Sequence, residues 1–346
     1  MVTTCGMTNH STYTLHISEL PSWAGALQAA ILILIVVNNV LVLFIFKNIR
    51  ELKTQHHLMI GLSVADLLTL VPYSTVVYTT LNGSIQLTRV TCDIIGAIFT
   101  ITLAVTTWIH SCMCMEKCFA IRRPLKHRTF MASNKVLPAS ITILLACFLL
   151  PFLLAGLAIH WGILEIKFLP YVSSCAYDAN LLTYLIFGGL YLALPLTVQI
   201  ATHLLMIRTR KVGVVFPTRG SIIKRAGNFG EAGARIKRLN FPKFVTSTHG
   251  ALTQPPIQTN SKLRAIRTIS LTLGIYYCCW SPLIIQTIWN SLPGVESPVW
   301  FDAVTVNMMV ANSGMSFIIY SITLPLFRKQ LLVEKDKLLR KCKMWR

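Results

Sequence analysis

Charge is what this sequence most lacks. Only 13% of its 346 residues are Asp, Glu, Lys or Arg, about half the roughly 25% of a soluble domain. Acids are the scarcest, with 12 Asp and Glu against 32 Lys and Arg, which leaves a net charge of +20. With 54% hydrophobic residues and a mean hydropathy of +0.61, this balance excludes a disordered chain, a small disulfide-stapled domain and an ordinary cytosolic enzyme. No P-loop, dinucleotide fingerprint or nucleophile–base constellation appears, so no enzyme activity is expected. The close cysteines Cys112, Cys114 and Cys118 do not read as a metal site, because only Cys114 and Cys118 share a helix face and no fourth ligand lies near. No secretory leader is expected either, since residues 1–21 are polar, without a basic start or a short apolar core. The first apolar run is therefore expected to act as its own insertion signal.

Long apolar runs are what is present. A helix crosses the hydrocarbon core in about 20 residues, and seven windows fit: about 24–46, 57–81, 93–115, 137–160, 181–207, 267–290 and 299–324. Lys and Arg stay out of them, Arg267 standing at the edge of the sixth. The runs are continuous rather than alternating, which favours helices over a barrel. With the N-terminus outside, the cytoplasmic segments hold three, six, thirteen and eight basic residues, thirty of the 32, and only Arg89 and Lys167 remain outside. The positive-inside rule thus orients the chain, and the basic excess reports topology rather than a nucleic-acid partner. The expected fold is an all-α membrane protein, a seven-transmembrane helix bundle with a short amphipathic eighth helix. Its parts are an extracellular N-terminus (1–23), the transmembrane domain (24–324, with a flexible basic third cytoplasmic loop at 208–262) and the amphipathic helix with a short cytoplasmic tail (325–346). The sequons at Asn9 and Asn82 fall outside, as glycosylation sites should. Cys92 and Cys175 also fall outside, where they can pair in an oxidising compartment, with Cys5 as a third outer thiol.

Polar motifs punctuate the spans in order. Asn39 lies in NNVLV of span one, and Leu62-Ser63-Val64-Ala65-Asp66 lies in span two. Glu116-Lys117-Cys118 follows Cys92 by 24 positions and precedes FAIRRPLKHRT. Span five has Pro195, span six has Cys279-Trp280-Ser281-Pro282, and span seven has Asn312-Ser313-Gly314-Met315-Ser316-Phe317-Ile318-Ile319-Tyr320. Leu326-Phe327-Arg328-Lys329 opens the last helix. From about residue 24 to about 341 the chain resembles the class A, rhodopsin-like G-protein-coupled receptors, whose GNxxV, LxxAD, acid-Arg-Tyr, CWxP and NSxxNPxIY motifs these stretches match in order and spacing. The resemblance implies a multi-pass plasma-membrane receptor with its C-terminus in the cytoplasm. Such a receptor binds an extracellular ligand in the bundle and signals to a heterotrimeric G protein.

Residue by residue, the resemblance assigns roles. Asp66 is a carboxylate within an apolar helix, costly unless paired or hydrated. Asn39, Thr106, Asn312, Ser313 and Ser316 are its candidate partners. By resemblance the cluster holds a sodium ion; the plainer alternative is a polar knot that glues helices. His110, four residues after Thr106, would compete with the cation. Apart from sodium no cofactor is expected. Glu116, Lys117, Cys118, Pro195, Pro282 and Tyr320 form the switch and coupling surface. Here the sequence departs from the pattern: Lys117 replaces the Arg, losing its planar fork, Cys118 replaces the Tyr, and His203 replaces the inner tyrosine of span five. Ser316-Phe317 replaces Asn-Pro, which is expected to remove a kink and an amide. Pro195 and Pro282 still permit kinks.

The ligand pocket is expected at Phe99, Leu103, Trp280, Gln286 and Trp289, with Trp280 at its floor. Phe99 stands where aminergic receptors carry an acid, and Val310 where opsins carry the retinal lysine. Neither a simple biogenic amine nor retinal is therefore expected. Six outer acids, and a partly alternating stretch from Ile163 to Ser174 that suits a hairpin, fit a peptide; a small molecule stays open. Anionic inner-leaflet lipids are expected to attract the basic face, at about 1 kcal/mol per residue near the surface. In the tail, Phe327, Leu331 and Leu338 share one helix face, as an interfacial helix requires, and Cys342 is a palmitoylation candidate. The tail after Leu324 has no Ser or Thr, so phosphorylation for arrestin binding falls to the third inner loop, at Thr246-Ser247-Thr248 and their neighbours. Two competing readings remain. One is a receptor-fold decoy, scaffold or heteromer partner that couples weakly, motivated by Lys117, Cys118, Ser316 and Phe317. The other is a transporter or channel, for which only Asp66 and His110 offer a pathway.

Overall fold

The computed structural model describes residues 5–8, 12–16, 22–49, 52–130, 133–161, 165–169, 174–178, 193–211, 257–290 and 297–344. Asn9 and the phosphorylation candidates Thr246, Ser247, Thr248 and Thr253 lie outside these residues, whereas the candidates Thr259 and Ser261 fall in the helix that begins at Ile257. Span one is helix α1 (Ser22–Lys47), and span two is divided into α2 (Thr54–Leu68) and α3 (Leu70–Asn82). Span three is α4 (Arg89–Arg122), followed by the short α5 (Pro124–Phe130) and by span four, α6 (Ser133–His160). Spans five and six are α7 (Leu194–Lys211) and α8 (Ile257–Asn290). Span seven is α9 (Val299–Ala311) and α10 (Ser316–Thr323), and α11 (Pro325–Met344) is the eighth helix. The architecture is the seven-helix bundle with its amphipathic appendage.

Local chemistry explains the boundaries. Pro72 has no N–H to offer the carbonyl of Leu68, so span two breaks just before it, and the Thr69 hydroxyl turns back onto the Asp66 carbonyl at 2.6 Å. Thr88 caps α4 by accepting the Thr91 N–H at 3.2 Å. Two buried clusters fill the bundle. One, toward the Glu116 end, includes Phe46, Leu58, Ile109, Tyr320 and Phe327; the other, toward the Cys92 end, includes Ile35, Tyr73, Phe99, Tyr276 and Trp280. Span four instead exposes Ile141, Leu145, Leu149, Phe152 and Leu153, a surface that lipid rather than water satisfies.

Small sheets cover the Cys92 end. β1 (Cys5–Thr8) and β2 (Thr12–His16) form a hairpin, and β2 also pairs antiparallel with β3 (Ser84–Thr88). That N-terminal hairpin had no counterpart in the sequence reading. β4 (Glu165–Leu169) pairs with β5 (Ser174–Asp178), with Phe168 opposite Cys175, so the expected hairpin exists and lies slightly later in the chain. A Cys92–Cys175 disulfide, with Cα atoms 5.3 Å apart, ties β5 to the start of α4.

The tail departs from its expected face. Phe327 is fully buried against Phe46, with ring centroids 5.4 Å apart, and Leu331 packs beside it, whereas Leu338 is exposed. The first turns of α11 thus belong to the bundle core, and the exposed apolar row is Leu332, Val333, Leu338 and Leu339. Lys337 holds the Glu334 carboxyl below its usual range through a 2.9 Å contact, assisted by Gln330.

Glycine packing gives a test of this arrangement. A Cβ on Gly96 would lie 2.6 Å from Ile166 Cγ2 and 3.2 Å from the Cys175 carbonyl oxygen, whereas one on Gly156 meets nothing within 4 Å. Gly96→Ala should lower the thermal unfolding midpoint in detergent by several degrees, an overpacking cost of about 1–3 kcal/mol. Gly156→Ala should leave the midpoint unchanged.

Candidate transmission site and ligand pocket

Span seven is bent by 45° between its two helices, around a single 3-10 turn, Asn312–Gly314. Loss of Asn-Pro at Ser316-Phe317 therefore does not remove the bend, contrary to the expectation from sequence. Span one supplies the reason. The Asn39 amide donates to the Ser313 carbonyl at 2.8 Å and to the Ile35 carbonyl at 3.0 Å, and the Asn38 amide donates to the Gly314 carbonyl. Carbonyls held by side chains of another helix need no partner in their own, so the turn stays open without proline. Gly314 permits the approach, because a Cβ there would lie 3.2 Å from Leu34 Cδ2.

Asp66, buried in α2, faces this turn. Its Oδ2 accepts a long 3.4 Å bond from the Ser316 hydroxyl, and the Ser313 side chain lies near it. The other candidate partners are directed elsewhere: the Thr106 hydroxyl donates to the Leu103 carbonyl at 2.9 Å. His110 Nδ1 contacts the Thr106 carbonyl at 2.8 Å, and its ring lies 5.1 Å from that of Tyr276 rather than on Asp66. No side-chain bond joins Asn312 to Asp66 among the described residues. Two buried oxygens, Ser63 Oγ and Asn39 Oδ1, have no protein partner among the described residues. Ser63 precedes Asp66 by three positions, on the same helix face.

A second polar network joins spans three, five and six. Thr107 Oγ1 and the Tyr276 hydroxyl are 2.8 Å apart. The Gln199 amide reaches the Thr107 carbonyl at 3.2 Å and Ser111 Oγ at 3.1 Å, and Ser111 donates to the Pro195 carbonyl at 3.0 Å. The last contact uses a carbonyl at the proline of span five. Trp280 stacks on Tyr276 with ring centroids 5.4 Å apart, which places its ring in contact with this network. Sequence reading found Trp280, Pro195 and His110 but missed Thr107, Ser111, Gln199 and Tyr276. Their signal was available as polar residues within apolar spans at helical spacing.

At the Cys92 end, Phe99, Leu103 and Trp280 meet in one apolar cluster. Gln286 is buried and donates to Asp302 Oδ1 at 2.6 Å, and Ser297 also bonds that carboxylate. Trp289 stands apart, partly exposed and 6.1 Å from the Phe301 ring. Three of the five expected pocket residues thus lie buried, Leu103 is half-buried, and Trp289 is turned toward span seven. A separate apolar cavity of about 210 Å³ opens between spans one and seven, lined by Trp23, Leu27, Trp300, Val304 and Met308 among others.

At the opposite end, Glu116 and Lys117 have divergent partners. Glu116 Oε1 lies 3.0 Å from His127 Nε2 of α5, and the Lys117 ammonium donates to Gln55 Oε1 of α2. Cys118 is buried with Cys114, Met206 and Ile266. His203 Nε2 lies 3.5 Å from the Ser270 hydroxyl of span six. Tyr320 packs between Phe46 and Phe327.

Residues 38–320 match the profile of the family described as 7 transmembrane receptor (rhodopsin family). The chain belongs to this family. Among curated relatives, the rhodopsin of Sargocentron microstoma is 25% identical over 134 residues, 37% of this chain and 38% of that protein. The rhodopsin of Zeus faber is 26% identical over 132 residues, 37% of each chain. The similarity thus spans well under half the length of these relatives. As a rhodopsin-family member, the chain is a multi-pass receptor of the plasma membrane.

Within the receptor, the remaining assigned residues have plain settings. Asn82 is exposed at the end of α3, and Cys342 is an exposed free thiol on α11. Pro282 lies inside α8. The span-one clamp is open to mutation. Asn39→Ala removes two buried bonds and strands the Ser313 carbonyl, at a cost of about 1–3 kcal/mol. Its unfolding midpoint in detergent should fall by several degrees. Asn48→Ala, which loses only the exposed bond to the Phe44 carbonyl, should stay near the parent.

Proposed function

We propose that this receptor takes an extracellular ligand at the Cys92 end and passes the signal to a heterotrimeric G protein at the Glu116 end. The observation that carries the reading is the bent span seven. Its ligand-side helix α9 and its coupling-side helix α10 meet beside Asp66, at a turn held by span one. Such a turn has two ways to satisfy its carbonyls, and therefore two conformations that differential contacts can bias. The Thr107–Tyr276–Gln199–Ser111 network links the Trp280 ring to span five and supports the same direction of travel.

The basic residues support the orientation, since thirty of 32 fall on the Glu116 side of the spans. The ligand is a peptide or a small molecule. Phe99 offers no carboxylate for an amine, and Val310 offers no amine for a retinal Schiff base. A sodium ion fits at Asp66: the carboxylate, the Ser313 and Ser316 hydroxyls, and the unpartnered Ser63 and Asn39 oxygens are the hard donors it takes. The ion would neutralise a buried charge and hold the two span-seven helices together. Anionic lipids suit α11, whose exposed leucines and lysines form an interfacial helix, and Cys342 is placed there for palmitoylation.

Coupling through Lys117 is tested in cells by basal and ligand-panel activation of each G-protein class for the parent, Lys117→Arg and Lys117→Ala. The reading predicts a signal in at least one class that Lys117→Ala lowers severalfold. Silence of the parent in every class, with a signal gained only by Lys117→Arg, would contradict it.

A further inference from the structure

We propose that Cys112 and Cys147 form a paired-thiol modification site that a lipid hydroperoxide oxidises to a disulfide, tying span three to span four. The two sulfurs are 3.7 Å apart across the α4–α6 interface, although the residues are 35 positions apart in sequence. A disulfide holds its sulfurs about 2.05 Å apart, so closure requires the two sulfurs to approach by less than 2 Å. Both are free thiols, and their surroundings, Ile143, Leu144 and Phe148, are apolar. Each sulfur therefore has the other as its polar neighbour.

Location selects the oxidant. Cys112 is half-buried and Cys147 buried, and Met115, three positions after Cys112 on the same face of span three, is exposed on the apolar surface of the bundle. The approach to the pair thus passes through acyl chains, where a hydroperoxide carried on a lipid dissolves and ionic aqueous oxidants do not. In the first step the Cys112 sulfur attacks the terminal peroxide oxygen, the O–O bond breaks, and the thiol proton leaves with the departing lipid alcohol, giving a sulfenic acid. In the second step the Cys147 sulfur displaces that hydroxyl as water, its own proton completing the water, and the S–S bond forms. Two electrons pass from the thiols to the peroxide, which is reduced to alcohol and water. Cys114 and Cys118 do not compete, because they face Met206 and Ile266 in a different cluster.

The test uses the full chain in phosphatidylcholine nanodiscs treated with a phosphatidylcholine hydroperoxide, then denatured, alkylated with N-ethylmaleimide and digested without reduction. Mass spectrometry should find a Cys112–Cys147 linked peptide that dithiothreitol releases, absent from Cys112→Ser and from Cys147→Ser and retained in Cys114→Ser. Oxidation should also raise the unfolding midpoint of the parent but not of Cys147→Ser. Cys112 and Cys147 both recovered alkylated would overturn the proposal, as would sulfinic acid at Cys112 beside an alkylated Cys147. An equal yield from a charged, water-soluble disulfide would overturn the lipid-borne source. None of these outcomes depends on whether the receptor couples to a G protein.

Discussion

Asn38 and Asn39 put two amide donors into the most apolar helix of the chain, and span seven answers with the carbonyls of Gly314 and Ser313. In hydrocarbon an amide without a partner costs several kcal/mol, so the pair fixes span one against span seven more firmly than apolar contact does. The same bonds withdraw two carbonyls from the helical ladder, which is why the span bends without a proline. Asp66 then finds Ser313 and Ser316 on either side of that bend. The buried carboxylate, the bend and the span-one amides are one construction, and a change in any member alters the cost of the others.

Polar bonds also set the relation of the remaining spans. Thr107, Ser111 and Gln199 bind spans three and five, and Tyr276 carries the contact to span six beneath Trp280. At the Glu116 end the charges are satisfied locally, Glu116 by His127 and Lys117 by Gln55. A lysine held by one amide has a single point contact to release, whereas an arginine fork would have two directions to abandon. Departures from the family pattern therefore change which side chains hold this arrangement and leave the scaffold intact.

Much of this was legible in the sequence. Seven apolar runs fixed the helices, and a carboxylate amid apolar residues marked Asp66, because both signals follow from the cost of polar groups in lipid. The bend in span seven was misjudged because its cause is not local. Nothing at Ser316-Phe317 reveals that amides about 275 positions earlier take the carbonyls. For His110, helical spacing gives a face, but which neighbour packs on that face is a tertiary fact, here Tyr276. The N-terminal hairpin lacked alternation strong enough to read, and its strands depend on β3 of a distant loop. Phe327 looked interfacial by its spacing, yet the turn at Leu324 folds α11 back so that its first apolar residues complete the core around Phe46.

The measurement that bears most directly on the span-one clamp is the distance between spin labels at Val304 and Ile322, exposed positions on the two halves of span seven. A straight helix would separate these Cα atoms by about 27 Å. The clamp predicts a shorter distance in the parent, lengthening toward the straight-helix value when Asn38 and Asn39 are both replaced by Ala. A parent distance equal to that of a straight helix, or a bend that survives loss of both amides, would contradict it.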